Sequence, residues 1–465
     1  MSKQGYSTTP VETDRMPPGI PYIVGNEAAE RFNYYGMRAI LVVFMTQHLM
    51  DRSGALAPMT DTQAAFWFHV FNFANYALPV CGAILADAFW GKYKTIFWIS
   101  IVYCLGSLVL AIDHTRLGLA LGLTLIAVGS GGIKPCVSAN VGDQFGQKNQ
   151  HLMSRAFGWF YFSINAGSFI SIFLTPILLR DFGPAAAFGV PALLMVVATI
   201  VFWAGRRKFV HVPPMGKAYF ARTFNREGVS LLLRLTSIFV FVAIFWSLWD
   251  QTGGEWVLQA EKMNRNIDLF GWHWEVLSSQ VQAVNAIFVL LFIPLFQYVV
   301  YPLVDRVFKL TPLRKIGLGL LVAGSAFMVS AWIEVLIGRG EVPHIAWQMP
   351  AYALITAAEV MVSITCLEFA YTQAPRHMKA MVQALYLLSI ASGNGITALF
   401  HLVTMNPDGT SKLHGSEFYM FFSALSIGCV LIYVFVAKRY KEAPAQLAGP
   451  TTPPPPPPTN APQGT

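Results

Sequence analysis

Glu27-Ala28-Ala29-Glu30-Arg31-Phe32-Asn33-Tyr34-Tyr35-Gly36-Met37-Arg38 opens the first long apolar stretch of the chain and sets four charges into it. At about 100° of turn per residue, Glu27, Glu30, Arg31, Tyr34, Tyr35 and Arg38 share one stripe of a helix, with Ala, Phe and Met on the other face. A charge near the centre of a bilayer costs about 2.5–3.5 kcal/mol on insertion scales. The stripe must therefore face other helices or a wet cavity, unless the segment is only a charged helix start lying at the interface. Too few apolar residues follow Arg38 to cross a membrane alone, which favours the buried stripe.

The flanking sequence supplies enough helices to bury it. Of the 465 residues, 55% are hydrophobic and 12% charged. That is about half the charge of soluble domains, so lipid is the expected solvent. The net charge of +8 comes from basic residues in short connections between apolar runs, a layout unsuited to nucleic acid. Five scattered cysteines (Cys81, Cys104, Cys136, Cys366, Cys429) form neither a disulfide framework nor a zinc motif; they read as small buried hydrophobes. No metal ligand set is expected.

Apolar runs of about 20 residues cross hydrocarbon as helices. Twelve are predicted, near 30–50, 64–88, 94–113, 117–140, 154–179, 186–205, 229–251, 279–302, 313–337, 347–372, 379–403 and 416–437. The basic, Pro-containing stretch from Arg206 to Arg226 separates two sets of six. The expected layout is a cytoplasmic segment 1–25, a six-helix bundle 26–205, a basic linker 206–228, a second bundle 229–440 and a disordered Pro-rich tail 441–465. Residues Met1 to Ile20 lack the basic-then-apolar order of a cleaved signal and are expected to be retained.

With both termini in the cytoplasm, connections on that side hold 21 of the 32 Lys and Arg residues, among them Lys92, Lys94, Arg207, Lys208 and Arg226. The outer connections hold seven: Arg52, Arg116, Arg180, Lys262, Arg265, Arg339 and Lys412. This bias orients the chain. The fold class is an all-α membrane protein with the major facilitator layout, twelve transmembrane helices in two six-helix bundles. The turn Asp87-Ala88-Phe89-Trp90-Gly91-Lys92-Tyr93-Lys94 fits that superfamily.

Other charges inside spans need partners. The fourth span carries Lys134 between Gly132 and Pro135, and the tenth carries Glu359. These spans are equivalent in a 6+6 repeat, so a Lys134–Glu359 salt bridge is predicted, with static structural pairing as the plainer alternative. Arg38 and Asp250 lie toward the outer ends of spans one and seven, also equivalents, and are expected to pair as an outer gate. His69 stands alone on an apolar helix. Such a histidine is usually structural, yet imidazole is the side chain that ordinarily titrates nearest neutral pH.

The first-span stretch resembles the signature of proton-dependent oligopeptide transporters. Further similarities are Gly131-Gly132-Ile133-Lys134-Pro135-Cys136-Val137-Ser138-Ala139, Phe160-Tyr161-Phe162-Ser163-Ile164-Asn165-Ala166-Gly167, Phe245-Trp246-Ser247-Leu248-Trp249-Asp250-Gln251, Val284-Asn285-Ala286-Ile287, and the run from Glu359 to Pro375. The resemblance implies that Arg31 and Lys134 receive a peptide carboxylate and that Asn165, Asn285 and Glu359 hold its ammonium. It implies that Tyr34, Tyr35, Tyr76, Tyr161, Trp246 and Tyr386 wall the cavity. Glu27, Glu30 and Arg31 are then the proton-coupling cluster, joined by His69, seven residues before Tyr76 as in mammalian peptide transporters. Three departures stand out: a short loop from Gly338 to Met349, no room after the sixth span for the helix pair of many bacterial members, and Tyr386 where mammalian members have tryptophan.

The expectation is a proton-coupled symporter importing di- and tripeptides by alternating access, extending to peptide-mimetic drugs. It would use no cofactor beyond the coupling proton and would work as a monomer in the cell (inner) membrane. The alternative within the same family is a proton-coupled carrier of nitrate or another small organic anion. An enzyme or a receptor is disfavoured, since the chain has no HExxH, no GxSxG, no close His pair and no soluble signalling segment.

Overall fold

The computed structural model describes residues 5–269, 271–366, 368–369, 378–413 and 415–440. The tail 441–465 expected to be disordered lies outside them.

Helix α1 (Ile20–Val43) starts ten residues before the predicted span. Pro21 sits in its first turn, where an N–H has no helical acceptor and proline costs nothing. A wider turn, Phe44–His48, extends it. Helix α2 (Asp61–Ile84) begins with a capping box in which Thr60 and Gln63 bond each other's backbone. Helices α3 (Lys92–Ile112) and α4 (Arg116–Asp143) follow Gly91 and the Thr115 cap.

The separately predicted spans 154–179 and 186–205 are two helical segments that follow one another across a kink, together labelled α5 (Met153–Ala204). Its 52 residues would be about 80 Å long if straight, more than twice the hydrocarbon thickness. Gly183, at φ 79° and ψ −178°, kinks it. The linker that follows holds a tight turn, Gly205–Arg207, and the seven-residue helix Lys217–Thr223.

The second half contains α6 (Arg226–Trp249), α7 (Ala283–Leu295), α8 (Pro312–Gly338), α9 (Gln348–Glu359), α10 (Lys379–Thr404) and α11 (Ser416–Arg439). Between α6 and α7 the chain makes a tight turn, Asp250–Gly253, and a buried short helix, Glu255–Glu261. A hairpin of β1 (Asn266–Leu269) and β2 (Trp272–Glu275) follows, with Asn266 opposite Glu275.

Among the described residues, ten helices are long and apolar enough to cross a membrane. The kinked stretch Gln150–Arg207 counts once in that number, and the charge-bearing α1 is not included. One apolar core runs from Ile20 to Phe209 and takes in Val257 and Leu258. A second runs from Leu231 to Tyr433 and meets Tyr76 of the first half. Helix α1 packs along α5, and α2 packs along α10, joining the halves.

Close backbone approach makes this possible. A Cβ on Gly82 of α2 would lie 2.5 Å from the Gly132 carbonyl oxygen of α4. The substitution Gly82→Leu should therefore destabilise the protein by at least about 1–3 kcal/mol through overpacking. Thermal unfolding in detergent would read this as a lowered Tm. Gly142→Ala, where a Cβ meets nothing within 4 Å, is the control and should leave Tm nearly unchanged.

Candidate functional site

The charged stripe of α1 is buried against other helices. Glu27 and Glu30 are closed off from solvent and Arg31 is half-buried. Arg31 donates through Nε to Glu27 Oε1 at 2.7 Å and lies 3.0 Å from Glu30 Oε2. The other Glu30 oxygen accepts from Ser130 Oγ of α4 at 2.9 Å. Two carboxylates thus share one guanidinium. Asn33 and Phe32, off the stripe, are buried as well, so α1 is enclosed on all sides.

Lys134 enters from α4, one turn beyond Ser130. Its Nζ stands 4.2 Å from the ring centres of both Tyr34 and Tyr76 and makes no hydrogen bond among the described residues. Two ring faces stabilise an ammonium by roughly 1–2 kcal/mol each when water is scarce, which leaves its three N–H donors unused. Asn72 and Asn75 hold the Tyr34 hydroxyl in place: Tyr34 donates to Asn72 Oδ1 at 3.3 Å, and Asn75 Nδ2 donates to the hydroxyl at 2.9 Å.

The opposing acid is in the second half. Glu359 Oε2, at the end of α9, accepts from Asn285 Nδ2 at 2.8 Å and Trp249 Nε1 at 2.9 Å. Asn285 also donates to Thr356 at 2.9 Å. Trp246 packs edge-on against Trp249 and Tyr386, with centroids 5.4 and 6.3 Å apart. The Tyr386 hydroxyl is hydrogen-bonded to Ser363 at 2.9 Å. Glu359 is thus a half-buried carboxylate held by neutral donors. The predicted Lys134–Glu359 salt bridge is not formed in this structure: each group has found neutral partners in its own half.

The two halves are tied together at the end that carries Asp250. Arg38 donates to Asp250 Oδ1 at 2.7 Å, and both are buried. Asp250 Oδ2 accepts from Asn394 Nδ2 of α10 at 2.6 Å. Asn394 Oδ1 lies 2.8 Å from His69 Nδ1, and His69 Nε2 is 3.1 Å from both oxygens of Glu255. Glu255 also meets His401 Nε2 at 2.7 Å. Thr60 to the Gly409 carbonyl and Lys262 to Asp61 add cross-contacts at the same end.

The structure thus gathers Arg31, Tyr34, Tyr35, Tyr76 and Lys134 in one half, and Trp246, Asn285, Glu359 and Tyr386 in the other. Among the described residues, no hydrogen bond or ring contact links Tyr161 or Asn165 to either group. Tyr161 is 57% exposed, and Asn165 spends its amide on the Tyr161 carbonyl one turn away. Residues missed in the sequence are Trp249, Asn394, Glu255 and His401. Glu255 falls five residues past Asp250, where a loop was expected, and the buried short helix there carries it back into the bundle. His69 and His401 form no pair in the sequence, because they come from α2 and α10.

A family model described as the POT family matches residues 93–227 and 222–416. Human solute carrier family 15 member 2 is 39% identical over 374 residues, covering 70% of this chain and 50% of that protein. Drosophila melanogaster peptide transporter family 1 is 38% identical over 366 residues, covering 69% and 48%. The chain therefore spans about half the length of these curated relatives. Among solved structures, the POT family transporter PepTSo superposes with a TM-score of 0.82 at 34% identity, covering 92% of this chain and 99% of that one. An auto-inhibited POT family peptide transporter gives the same TM-score and identity, covering 92% and 98%. A matched family model over more than half the chain, with whole-length superposition on these transporters, places the chain in the POT family.

Proposed function

We propose that the chain is a proton-coupled symporter that carries di- and tripeptides by alternating access. The observation that carries this reading is a Lys134 ammonium without a hydrogen-bond partner in one half and Glu359 held by neutral donors in the other. A short peptide has a carboxylate and an ammonium at its two ends. Lys134, with Arg31 behind it, suits the first, and Glu359 with Asn285 suits the second. Charge-assisted hydrogen bonds to such termini are about twice as strong as neutral ones. Side chains between the termini would lie among Tyr35, Tyr76, Trp246 and Tyr386, surfaces that adapt to varied shapes. The separation of the charged walls in the substrate-bound state limits peptide length to two or three residues.

Arg31 held by Glu27 and Glu30 supplies the coupling. Protonation of one carboxylate loosens the guanidinium for a substrate carboxylate. His69 belongs to the coupling set at the Asp250 end, and Asn165 and Tyr161 join the site when the halves move. A Lys134–Glu359 ion pair then forms in a different state of the cycle. Twelve crossings follow if Gly183 separates two of them and α1 adds another. Basic residues in the connections orient both termini to the cytoplasm of the cell (inner) membrane, and the sealed Asp250 end then faces outward. One chain is the working unit, and peptide-mimetic drugs with the same termini fit the same walls.

Purified protein in liposomes tests this directly, with about pH 6 outside and about pH 7.5 inside, the range in which imidazole titrates. Labelled dialanine should accumulate. A protonophore should abolish accumulation, and tripeptide should compete where tetrapeptide and nitrate do not. Gradient-independent uptake, or competition by nitrate, would overturn the proposal.

A further inference from the structure

Three metal-ligating side chains converge at the Asp250 end, from segments far apart in sequence. His69 comes from α2, Glu255 from the short helix after α6, and His401 from the last turns of α10. Their donor atoms all lie within 4.8 Å of one another. Burial is near complete, with 0% exposure for His69, 4% for His401 and 7% for Glu255.

The surrounding hydrogen bonds fix how His69 presents itself. Asn394 gives its NH2 to Asp250 Oδ2 and to the Ile390 carbonyl, both acceptors only. Its oxygen must therefore face His69, and His69 Nδ1 must carry the hydrogen. A neutral His69 then turns the bare lone pair of Nε2 toward the Glu255 carboxylate at 3.1 Å. A lone pair against a carboxylate is repulsive, so a positive charge belongs between them: the coupling proton on Nε2, or a metal ion that takes its place when the proton is absent. An imidazole whose outer nitrogen donates to a fixed oxygen is also the arrangement that orients histidine ligands of metals.

We propose that His69 Nε2, a Glu255 oxygen and His401 Nε2 form a binding site for a divalent transition-metal cation, with Zn2+ the best fit. Two imidazoles and one carboxylate suit this class far better than calcium or magnesium. Tetrahedral zinc with bonds of about 2.0–2.1 Å sets its ligand atoms roughly 3.3 Å apart. The observed Glu255 contacts, 3.1 and 2.7 Å, come to that spacing with shifts of several tenths of an ångström, and the two imidazole nitrogens, within 4.8 Å of each other, reach it with a shift of up to about 1.5 Å. The fourth position falls to water. A cavity of about 170 Å³ reaches Glu255 and His401. Asp61, Lys262 and Glu334 also line it, and Asp61 pairs with Lys262 at 3.3 Å, so acids outnumber bases along the approach.

The site bridges the halves: His69 belongs to the first, Glu255 and His401 to the second. A cation held by all three binds the state closed at this end and loses a ligand when the end opens. Such differential affinity shifts the equilibrium toward the closed state. Zinc applied on that side should then slow exchange, a consequence that rests on the transport function proposed above.

Co2+ alone, titrated into the detergent-purified full chain, tests the site without reference to transport. One equivalent should bind saturably, give the visible absorption of low-coordinate cobalt, and be displaced by Zn2+. Asn394→Ala should weaken binding roughly 10–100-fold, as loss of an orienting partner does, and His401→Ala should weaken it further. His401→Cys, which restores a ligand, should recover binding with a sulfur-to-cobalt absorption, which misfolding could not produce. His273→Ala, on the exposed hairpin, should change nothing. Absence of saturable binding, or equal binding by His401→Ala and His273→Ala, would overturn the site. In liposomes, Zn2+ should slow dialanine counterflow in the unmodified chain and not in His401→Ala. Unaltered counterflow with intact cobalt binding would overturn the clamp. Failure to carry dialanine without any metal would sink the transport reading and leave the cobalt result standing.

Discussion

Exchanging Glu30 for glutamine leaves dialanine counterflow intact and abolishes accumulation driven by a pH gradient. The substitution is nearly isosteric, and a glutamine oxygen still accepts from Ser130 Oγ, the 2.9 Å bond that ties α1 to α4. What changes is charge. Arg31 now answers to Glu27 alone, at 2.7 Å, and the second carboxylate, 3.0 Å away, can no longer gain or lose a proton. The cluster is frozen in the form that protonation produces, with the guanidinium held by one carboxylate and loosened for a substrate carboxylate. Exchange needs only that form. Concentrative uptake needs both, because a driving ion does work only where its binding differs between states. Each tenfold of accumulation corresponds to about 1.4 kcal/mol, so the accumulation ratio should fall to about one. Counterflow with undiminished gradient-driven uptake would remove Glu30 from the coupling cluster. Loss of both activities would instead mark Glu30 as a packing residue of the α1–α4 contact.

The parts of the molecule that were legible in advance share a physical cause. A charge in an apolar run has to be buried against a partner, so the stripe from Glu27 to Arg38 announced an enclosed α1, and Arg38 and Asp250 are ion-paired at 2.7 Å. Apolar length announced the helices, 154–179 and 186–205 among them, though not that only a kink at Gly183 separates these two. Glycine there takes up a backbone angle that reads in sequence as a plain loop. The Lys134–Glu359 pair was inferred from repeat equivalence, which fixes the helices but not which state the chain occupies. In this state neutral donors hold Glu359 and two rings hold Lys134. His69 was legible in the sequence, but its partners Asn394, Glu255 and His401 left no local signal. The four meet only because α2 lies along α10 and because the chain after Asp250 turns back into the bundle.

That same juxtaposition sets the second large effect. Asp250→Asn should cut dialanine counterflow by about two to three orders of magnitude, and the double variant Arg38→Gln with Asp250→Asn should recover most of it. Arg38 and Asp250 are both buried, and the guanidinium also lies 5.3 Å from the Phe68 ring and 5.6 Å from Trp249, with little water to replace a lost carboxylate. Breaking such a pair from one side costs about 3–5 kcal/mol, because an uncompensated charge stays buried. The cost falls on the state closed at this end, since that state holds the two residues together. A bias of this size changes the ratio of states by a factor of about a hundred to several thousand, enough to strand the carrier open at the Asp250 end. Removing both charges leaves two amides of similar shape that can bond each other, and paired replacement of buried partners is close to neutral. Asn394 can still donate to the new amide oxygen, so the link to His69 survives. A double variant as inactive as Asp250→Asn would mean that the charges act separately, on substrate or proton, and that the pair is no latch between the halves.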